Sequence, residues 1–148
     1  MLNEKLISFF KEKEWWYKKE EIEEEEIEVL KSFSIPLDSS FAEFNLQVSD
    51  GSSFLSRNIE IFNICWDIIN TDGLSELINV LHTKRPAGNL PNNYIPFSSF
   101  ERDELFFYNY YDDGVYLADE KGMNEIVLGV KKPTWVSFNE FLEWYFEL

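Results

Sequence analysis

The chain has 148 residues, of which 45% are hydrophobic and 18% aromatic, and this composition excludes a disordered protein because it supplies enough apolar surface for one core. Twenty-eight acidic residues against thirteen basic ones leave a formal net charge of −15. A surface this negative argues against binding to nucleic-acid phosphate or anionic lipid, which relies on lysine and arginine. It would attract a basic partner, although such acidity also serves solubility alone.

The cysteine content and the apolar runs indicate where the protein works. Its single cysteine, Cys65, cannot form an internal disulfide, which is typical of a cytoplasmic protein. The N-terminal apolar stretch is too short for a secretion signal, and no run reaches the length of a membrane span. We therefore expect a soluble, cytoplasmic protein that forms one domain over residues 1–148.

The N-terminal part of the chain is predicted to be helical. Apolar residues recur at helical spacing on both sides of EWWYKKE, so residues 3–33 should form two helical pieces. The seven glutamates of EEIEEEEIE favour the start of the second piece, and such a run is more typical of a solvated helix face than of a binding patch. Pro36 ends this helix, and Asp38 or Ser39 can cap a short helix after it.

The middle of the chain alternates between helical, extended and loop patterns. IEIFNI alternates and is rich in β-branched residues, GLSELINVLH has helical spacing, and KRPAGNLPNN contains two prolines and a glycine. These patterns predict a loop at 49–53, a strand at 59–64, a helix at 73–82, a loop at 84–93 and an extended segment at 94–97.

The C-terminal third is predicted to form a three-stranded meander and a helix. The aromatic stretch 104–111, the Asp-Gly turn at 112–114 and the stretch 115–119 indicate a hairpin. EKGMN then predicts a second turn before a strand at 125–130. Finally, Ser137 begins a capping box, with Glu140 reaching back, and Phe138, Phe141, Leu142 and Tyr145 form an apolar stripe that should pack across the sheet.

Asp112 and Asp113 are the strongest carboxylate pair for catalysis, but a turn explains them better. A catalytic pair faces a substrate from two sides, about 5 to 9 Å apart, with unequal pKa values. Sequence neighbours at a hairpin tip rarely meet that requirement, whereas Asp-Gly is favoured in turns. The stretch DDGVYLADE also lacks the alternating oxygen ligands of a calcium loop.

Cys65 and His82 are the only thiol and the only imidazole. A nucleophilic pair stays an alternative, because catalytic partners need not be close in sequence. However, Cys65 lies in FNICWDII, an apolar context typical of an inert core thiol. One histidine and one cysteine are too few for a structural zinc site, and no phosphate-binding or dinucleotide motif occurs. We predict a protein without enzymatic activity, cofactor or metal.

The chain has more aromatic residues than a small core easily hides. Exposed aromatic residues among charges would suit a protein interface, but half-burial on the sheet faces is an equal alternative for each one. The residues in question are Trp15, Trp16, Tyr17, Tyr108, Tyr110, Tyr111, Tyr116 and Trp135.

The motifs and their order resemble the SUKH superfamily, the Smi/Knr-like immunity proteins, over roughly residues 20–148. Ile35-Pro36 stands where the family has Leu-Pro, and Asp50-Gly51 stands where it has Asn-Gly. YIPFSSF is similar to a family strand. The remaining matches are Phe41 and Phe44 in the family's helix, and Ser137, Phe138, Glu140, Phe141 and Leu142 in its closing helix. Residues 1–19 would be an additional N-terminal helix.

The resemblance implies an α+β fold, with a mostly antiparallel sheet flanked by N- and C-terminal helices, and a role without catalysis. Bacterial members of the superfamily neutralise polymorphic toxins, often nucleases, by binding them. Fungal members regulate cell-wall synthesis as interaction proteins, so a regulatory binding module is the alternative. Our expectation is an immunity protein that binds a basic toxin through an acidic, aromatic-rich surface. The residues expected at this interface are Glu101, Asp103, Glu104, Tyr110, Tyr111, Asp112, Asp113 and Trp135.

Overall fold

The computed structural model describes residues 1–99 and 103–148, and within these ranges the chain forms seven α-helices and five β-strands. The helices are α1 Glu4–Glu12, α2 Glu24–Ser32, α3 Ser40–Gln47, α4 Ile64–Asn70, α5 Gly73–Thr83, α6 Glu120–Val127 and α7 Phe138–Tyr145. The strands are β1 Ser53–Ser56, β2 Ile59–Phe62, β3 Tyr94–Pro96, β4 Leu105–Asn109 and β5 Gly114–Ala118. No helix in the described ranges is long and apolar enough to cross a membrane. The α+β class is confirmed.

The strands form two antiparallel sheets that meet at one bridge. β1 pairs with β2, and β3, β4 and β5 form a meander in that order. Beyond the end of β3, Ser98 bridges to Ile61 of β2, and the Phe62 amide donates to the Phe97 carbonyl at 2.8 Å. On the far side, Trp135 bridges to Val115, so the outer edge of β5 is partly covered.

Helices cover both faces of the meander, and all five residues of its central strand, β4, are therefore buried. Phe106 and Tyr108 point into the main core, where α3 and α7 supply half of the buried aromatic rings. Leu105 and Phe107 point to the opposite face and pack with residues of α5 and α6. A central strand that is buried on both sides reads as a continuous apolar run, as ELFFYNYY does.

Side-chain caps fix the start of five helices in the described chain. In each case the side-chain oxygen of the residue before the helix accepts a backbone N–H three residues later, which satisfies a donor that the helix leaves free. These caps are Asn3, Ser39, Asn63, Asp119 and Ser137.

Most predicted elements are confirmed. Residues 3–33 are helical in two pieces, α1 and α2, with a 3-10 turn between them at Lys19–Glu21. Ser39, and not Asp38, caps α3. The strand predicted from residue 59, the helix predicted at 73–82, the loop after it, the β4–β5 hairpin and the closing helix are all present.

The predicted turn and strand at 120–130 are wrong, because Glu120–Val127 is the helix α6. Asp119 caps it by accepting the Gly122 amide at 2.8 Å. Gly122 does not break the helix but lets it pack closely, since a Cβ there would lie 3.0 Å from the Ala118 Cβ. The three-stranded meander is therefore β3–β4–β5, one strand earlier than predicted.

Strand β1 and helix α4 were not predicted. The β1–β2 hairpin turns at Arg57 and Asn58, which both have positive φ, of 54° and 59°. Glycine usually marks such a turn, and neither turn residue is glycine. Helix α4 begins directly after β2, with Asn63 as its cap. Its first residues continue the apolar run of the strand, so periodicity alone does not separate the two elements.

Candidate functional site

The turn between β4 and β5 is built around Asp112. Its Oδ1 accepts the Gly114 amide at 2.8 Å, and its Oδ2 accepts the Tyr116 hydroxyl at 2.5 Å. Gly114 is required by close approach, since a Cβ there would lie 2.9 Å from the Asp112 carboxylate and 3.0 Å from the Pro133 Cβ. The hairpin expected here is confirmed, and Asp112 holds its turn.

Asp113 faces the protein more than the solvent. Its Oδ1 accepts the hydroxyls of Ser40 and Tyr108, at 3.1 and 2.8 Å, and its Oδ2 accepts the Phe138 amide at the start of α7, at 3.4 Å. Burial and the neighbouring Asp113 raise the pKa of Tyr108. Asp113 therefore joins α3, β4 and α7 at one point, and its charge is used inside the fold.

Tyr110 and Tyr111 border the same turn. Tyr111 is 79% exposed and its ring lies 5.0 Å from that of half-buried Tyr110, in a T-shaped arrangement. Together with Asp38 and the turn aspartates they line a shallow depression of about 390 Å³. We call the surface formed by Asp38, Tyr110, Tyr111 and Asp112 the tip face.

The other residues predicted at the interface lie elsewhere. Asp103 and Glu104 precede β4, and the five-residue strand separates them from the tip face by about 17 Å at a rise of ~3.4 Å per residue. Trp135 is half-buried, with its ring 5.2 Å from Phe141 and 4.7 Å from Trp144. Glu101 lies outside the described residues. The structure brings together Tyr110, Tyr111, Asp112 and Asp113, but not the others.

A second surface combines aromatic rings with carboxylates. Tyr17 and Trp66, which are 44% and 41% exposed, border a groove of about 460 Å³. It lies between helix α4 on one side and the first turn of α2 with the segment before it on the other. Its lining includes four glutamates and no lysine or arginine. We call it the acidic groove and define it by Tyr17, Glu21, Glu23, Glu25, Glu26 and Trp66.

The acidic groove is held in place by backbone and side-chain hydrogen bonds. The Tyr17 amide donates to the Gln47 carbonyl at 2.7 Å, which fixes the segment against the end of α3. Asn63 accepts the Trp66 amide at 3.0 Å and donates to the carbonyls of Asn45 and Val48. These contacts present the two aromatic rings at the edges of one groove.

The electrostatics of the acidic groove favour a cation. Burial raises the pKa of Glu26, and the nearby Glu23 raises it further, against the opposing effect of the hydrogen bond from the Glu23 amide. A carboxylate with a raised pKa is costly to ionise where it lies. A positively charged group in the groove would relieve that cost.

The acidic groove was missed in the sequence because one side of it, including Trp66, lies on α4. Tyr17 was among the surplus aromatic residues, but Trp66 was assigned to a core stretch. A detectable signal was Asn63, a good helix cap, directly before an apolar run. Reading Asn63 as a cap places Trp66 in the first turn of a helix, where a large ring can reach solvent.

Cys65 and His82 are held by different parts of the fold. The Cys65 thiol is fully buried and lies 3.6 Å from the Glu26 carbonyl, and burial raises its pKa to about 12. It therefore stays protonated at neutral pH. His82 Nε2 donates to the Tyr94 carbonyl at 2.8 Å, and burial lowers the pKa of its ring. No group of three or more histidine, cysteine or carboxylate side chains in the described ranges is arranged to hold a metal.

The sequence matches no model of a known protein family, and no curated protein is significantly similar to it. The phenylalanine residues that carry the family resemblance meet in the core. Phe138 lies 5.0 Å from Phe41 and 5.6 Å from Phe44, and Phe97 lies 5.3 Å from Phe141, measured between ring centroids. These motif residues are therefore fold-building residues, whereas binding would depend on the surface.

Proposed function

We propose that the chain is a non-catalytic immunity protein, which binds a toxin with a basic surface and neutralises it in the cytoplasm. The observation that carries this proposal is the acidic groove, where two exposed aromatic rings stand beside four glutamates and no lysine or arginine.

The chemistry of the acidic groove suits a basic protein partner. Tyrosine and tryptophan supply much of the binding energy at interfaces, and complementary charge accelerates encounter with the correct partner. The tip face offers the same combination on a smaller scale, with Tyr111 beside Asp38 and Asp112. A nuclease fits both surfaces, because nucleases carry basic clefts for phosphate.

The test begins with capture from the native host, using this protein as bait and eluting with salt. We expect a protein with a basic catalytic domain, whose lethality in a second host is suppressed by co-expression of this chain. Binding by the pure proteins should weaken as ionic strength rises. A captured protein that is not toxic would favour a regulatory binding module, and the absence of any salt-sensitive partner would contradict both readings.

A matched pair of variants locates the interface. Glu25 lines the acidic groove and Glu24 does not, yet both are exposed residues of the first turn of α2. Glu25→Lys should therefore slow association with the toxin at least tenfold more than Glu24→Lys does. Asp38→Lys makes the corresponding change at the tip face. If Glu25→Lys and Glu24→Lys slow association equally, the acidic groove is not part of the interface.

A further inference from the structure

A third depression lies between the end of α2 and helix α5. It has a volume of about 420 Å³ and is lined by ten residues, and this size is typical of sites for small molecules or single side chains, which begin at about 300 Å³. Ser34, in the left-handed region with φ of 60°, shapes one wall, and Asn79 and His82 of α5 shape the other. We call it the neutral cleft.

The neutral cleft differs from the rest of the surface in its charge. Charged residues make up 28% of the sequence, yet none of the ten lining residues is Asp, Glu, Lys or Arg. Its titratable side chains are the Tyr110 phenol and the His82 ring. Burial lowers the pKa of His82, so this ring is neutral at pH 7. A charged group placed there would lose water without gaining an opposite charge, so the neutral cleft selects for an uncharged occupant.

The interior of the neutral cleft has an apolar part and a few hydrogen-bonding groups. Ile78 is 6% exposed and Phe33 is half-buried. Because His82 Nε2 donates to a carbonyl, its Nδ1 is an acceptor, and this atom has no partner among the described residues. Asn79 Oδ1 accepts the Thr83 hydroxyl, which leaves the Asn79 amide group as a donor. An apolar ring with one polar atom matches this set.

The neutral cleft adjoins the tip face at Tyr110. Tyr110 lines both depressions, and the chain passes along the acidic groove, the neutral cleft and the tip depression in turn. Four glutamates between residues 21 and 26 line the first, residues 32–34 line the second, and Pro36, Asp38, Ser39 and Ser40 line the third. A partner that contacts Tyr110 at the tip face therefore reaches a residue that also lines the neutral cleft.

We propose that the neutral cleft receives an uncharged aromatic side chain, a tyrosine or a tryptophan, of the protein that binds the neighbouring acidic surfaces. This inference rests on the proposed function. Such a side chain supplies a ring for Phe33 and Ile78 and one polar atom for His82 or Asn79. Anchors of this kind, seated in a pocket and surrounded by contacts that exclude water, dominate the binding energy at protein interfaces.

The test uses the pure protein and no toxin, so its failure and failure of the proposed function are distinguishable. The probes are p-cresol and 3-methylindole, which are the side chains of tyrosine and tryptophan. His82 is the only histidine, so the ring signals of ¹³C-labelled histidine report on the neutral cleft without ambiguity. We expect both probes to shift these signals saturably, with millimolar affinity, while the anion 4-methylbenzoate binds at least fivefold more weakly.

Two variants and a control complete the experiment. Ser75→Trp should fill the neutral cleft and abolish the saturable shift, whereas Val80→Trp, on the same helix but outside the lining, should leave it unchanged. Asn79→Ala removes this donor together with the Oδ1, while the Thr83 hydroxyl keeps the Asn79 backbone carbonyl as its acceptor, and it should weaken p-cresol binding at least threefold. The proposal is overturned if neither probe gives a saturable shift, or if methyl β-glucoside does so more strongly than p-cresol.

Discussion

Asp112 and Asp113 are neighbours in the sequence but have different structural roles. Asp112 closes the hairpin turn through Gly114 and Tyr116. Asp113, with a left-handed φ of 61°, instead accepts from Ser40, Tyr108 and the start of α7. A carboxylate near a helix N-terminus is favoured by the helix dipole as well as by its hydrogen bonds. Charge reversal at Asp113 would therefore test the fold before it tested binding.

We predict that Asp113→Ala lowers the free energy of unfolding by about 3 kcal/mol, because it leaves the Tyr108 hydroxyl without its acceptor and puts alanine at a positive φ. Asp113→Asn keeps an acceptor and tolerates this φ, so it should cost only ~1 kcal/mol. Urea denaturation measures both. Asp103→Ala, at an exposed site, is the control. If Asp113→Ala and Asp103→Ala lower the free energy of unfolding equally, Asp113 does not hold α3, β4 and α7 together.

Glu26 is a carboxylate whose ionisation opposes folding. Its pKa in the folded protein is raised above the ordinary value of 4.5. The protonated side chain therefore contributes stability that is complete below pH 4.5 and is lost as pH rises through the folded pKa. Glu26→Gln keeps the acceptor for the Glu23 amide and removes the charge. We therefore expect this variant to be more stable than the parent at pH 7, by a margin that shrinks toward pH 4. Thermal melts at several pH values measure it, and a constant margin would be the contrary result.

Four helices end in the same way. At the ends of α1, α2, α6 and α7 the chain takes a left-handed residue, and the next amide donates to the carbonyl five residues earlier. The left-handed residues are Glu14, Ser34, Gly129 and Glu147. This is the Schellman motif, in which glycine is the preferred residue, so three of the four helices carry backbone strain at this position.

We expect Glu14→Gly and Ser34→Gly each to raise the free energy of unfolding by about 1 kcal/mol, since glycine adopts positive φ without a steric cost. Glu14→Gly also removes a negative charge from a helix C-terminus, which adds to the gain. Gly129→Ala should lower stability by a similar amount. Chemical denaturation of the three variants checks this, and destabilisation by Ser34→Gly would contradict it.

Buried tyrosines tie distant elements of the whole molecule together. The Tyr145 hydroxyl, on α7, donates to the carbonyls of Phe54 and Ile59 on the β1–β2 hairpin. Burial raises the pKa of Tyr145 and of Tyr108 above the ordinary value of 10.0. Both residues are therefore neutral hydrogen-bond donors in the folded protein.

These shifts predict how stability depends on alkaline pH. A phenol with a raised folded pKa contributes stability that is complete below its unfolded pKa of about 10 and is lost as pH rises above it. We expect the free energy of unfolding to fall from pH 9.5 upward. Ionisation of the tyrosines, followed by absorbance at 295 nm, should occur together with unfolding, followed by the loss of circular dichroism. Tyr145→Phe should be less stable at pH 7 but flatter with pH. Ionisation of these tyrosines in a folded protein would disprove it.

Local signals predicted the elements that local interactions specify. Ser39 and Ser137 mark the starts of α3 and α7, and Asp-Gly marks the β4–β5 hairpin. The prediction failed at α6, where Met123 and Ile126 have helical spacing but Gly122 and the β-branched residues after it favoured a turn and a strand. The close packing of Gly122 against Ala118 decides this case, and it cannot be read from nearby residues.

The sequence by itself determined the two-piece N-terminal helix and the β4–β5 hairpin through local pattern, and the overall acidity through composition. It determined the α+β class through the family resemblance. Only the tertiary structure decided which acids share an exposed surface. It turned Asp113 inward, separated Asp103 and Glu104 from the tip face, and placed Trp66 beside Tyr17 across the acidic groove. The physical reason is that surface neighbours such as Tyr17 and Trp66 are brought together by core packing between elements distant in sequence.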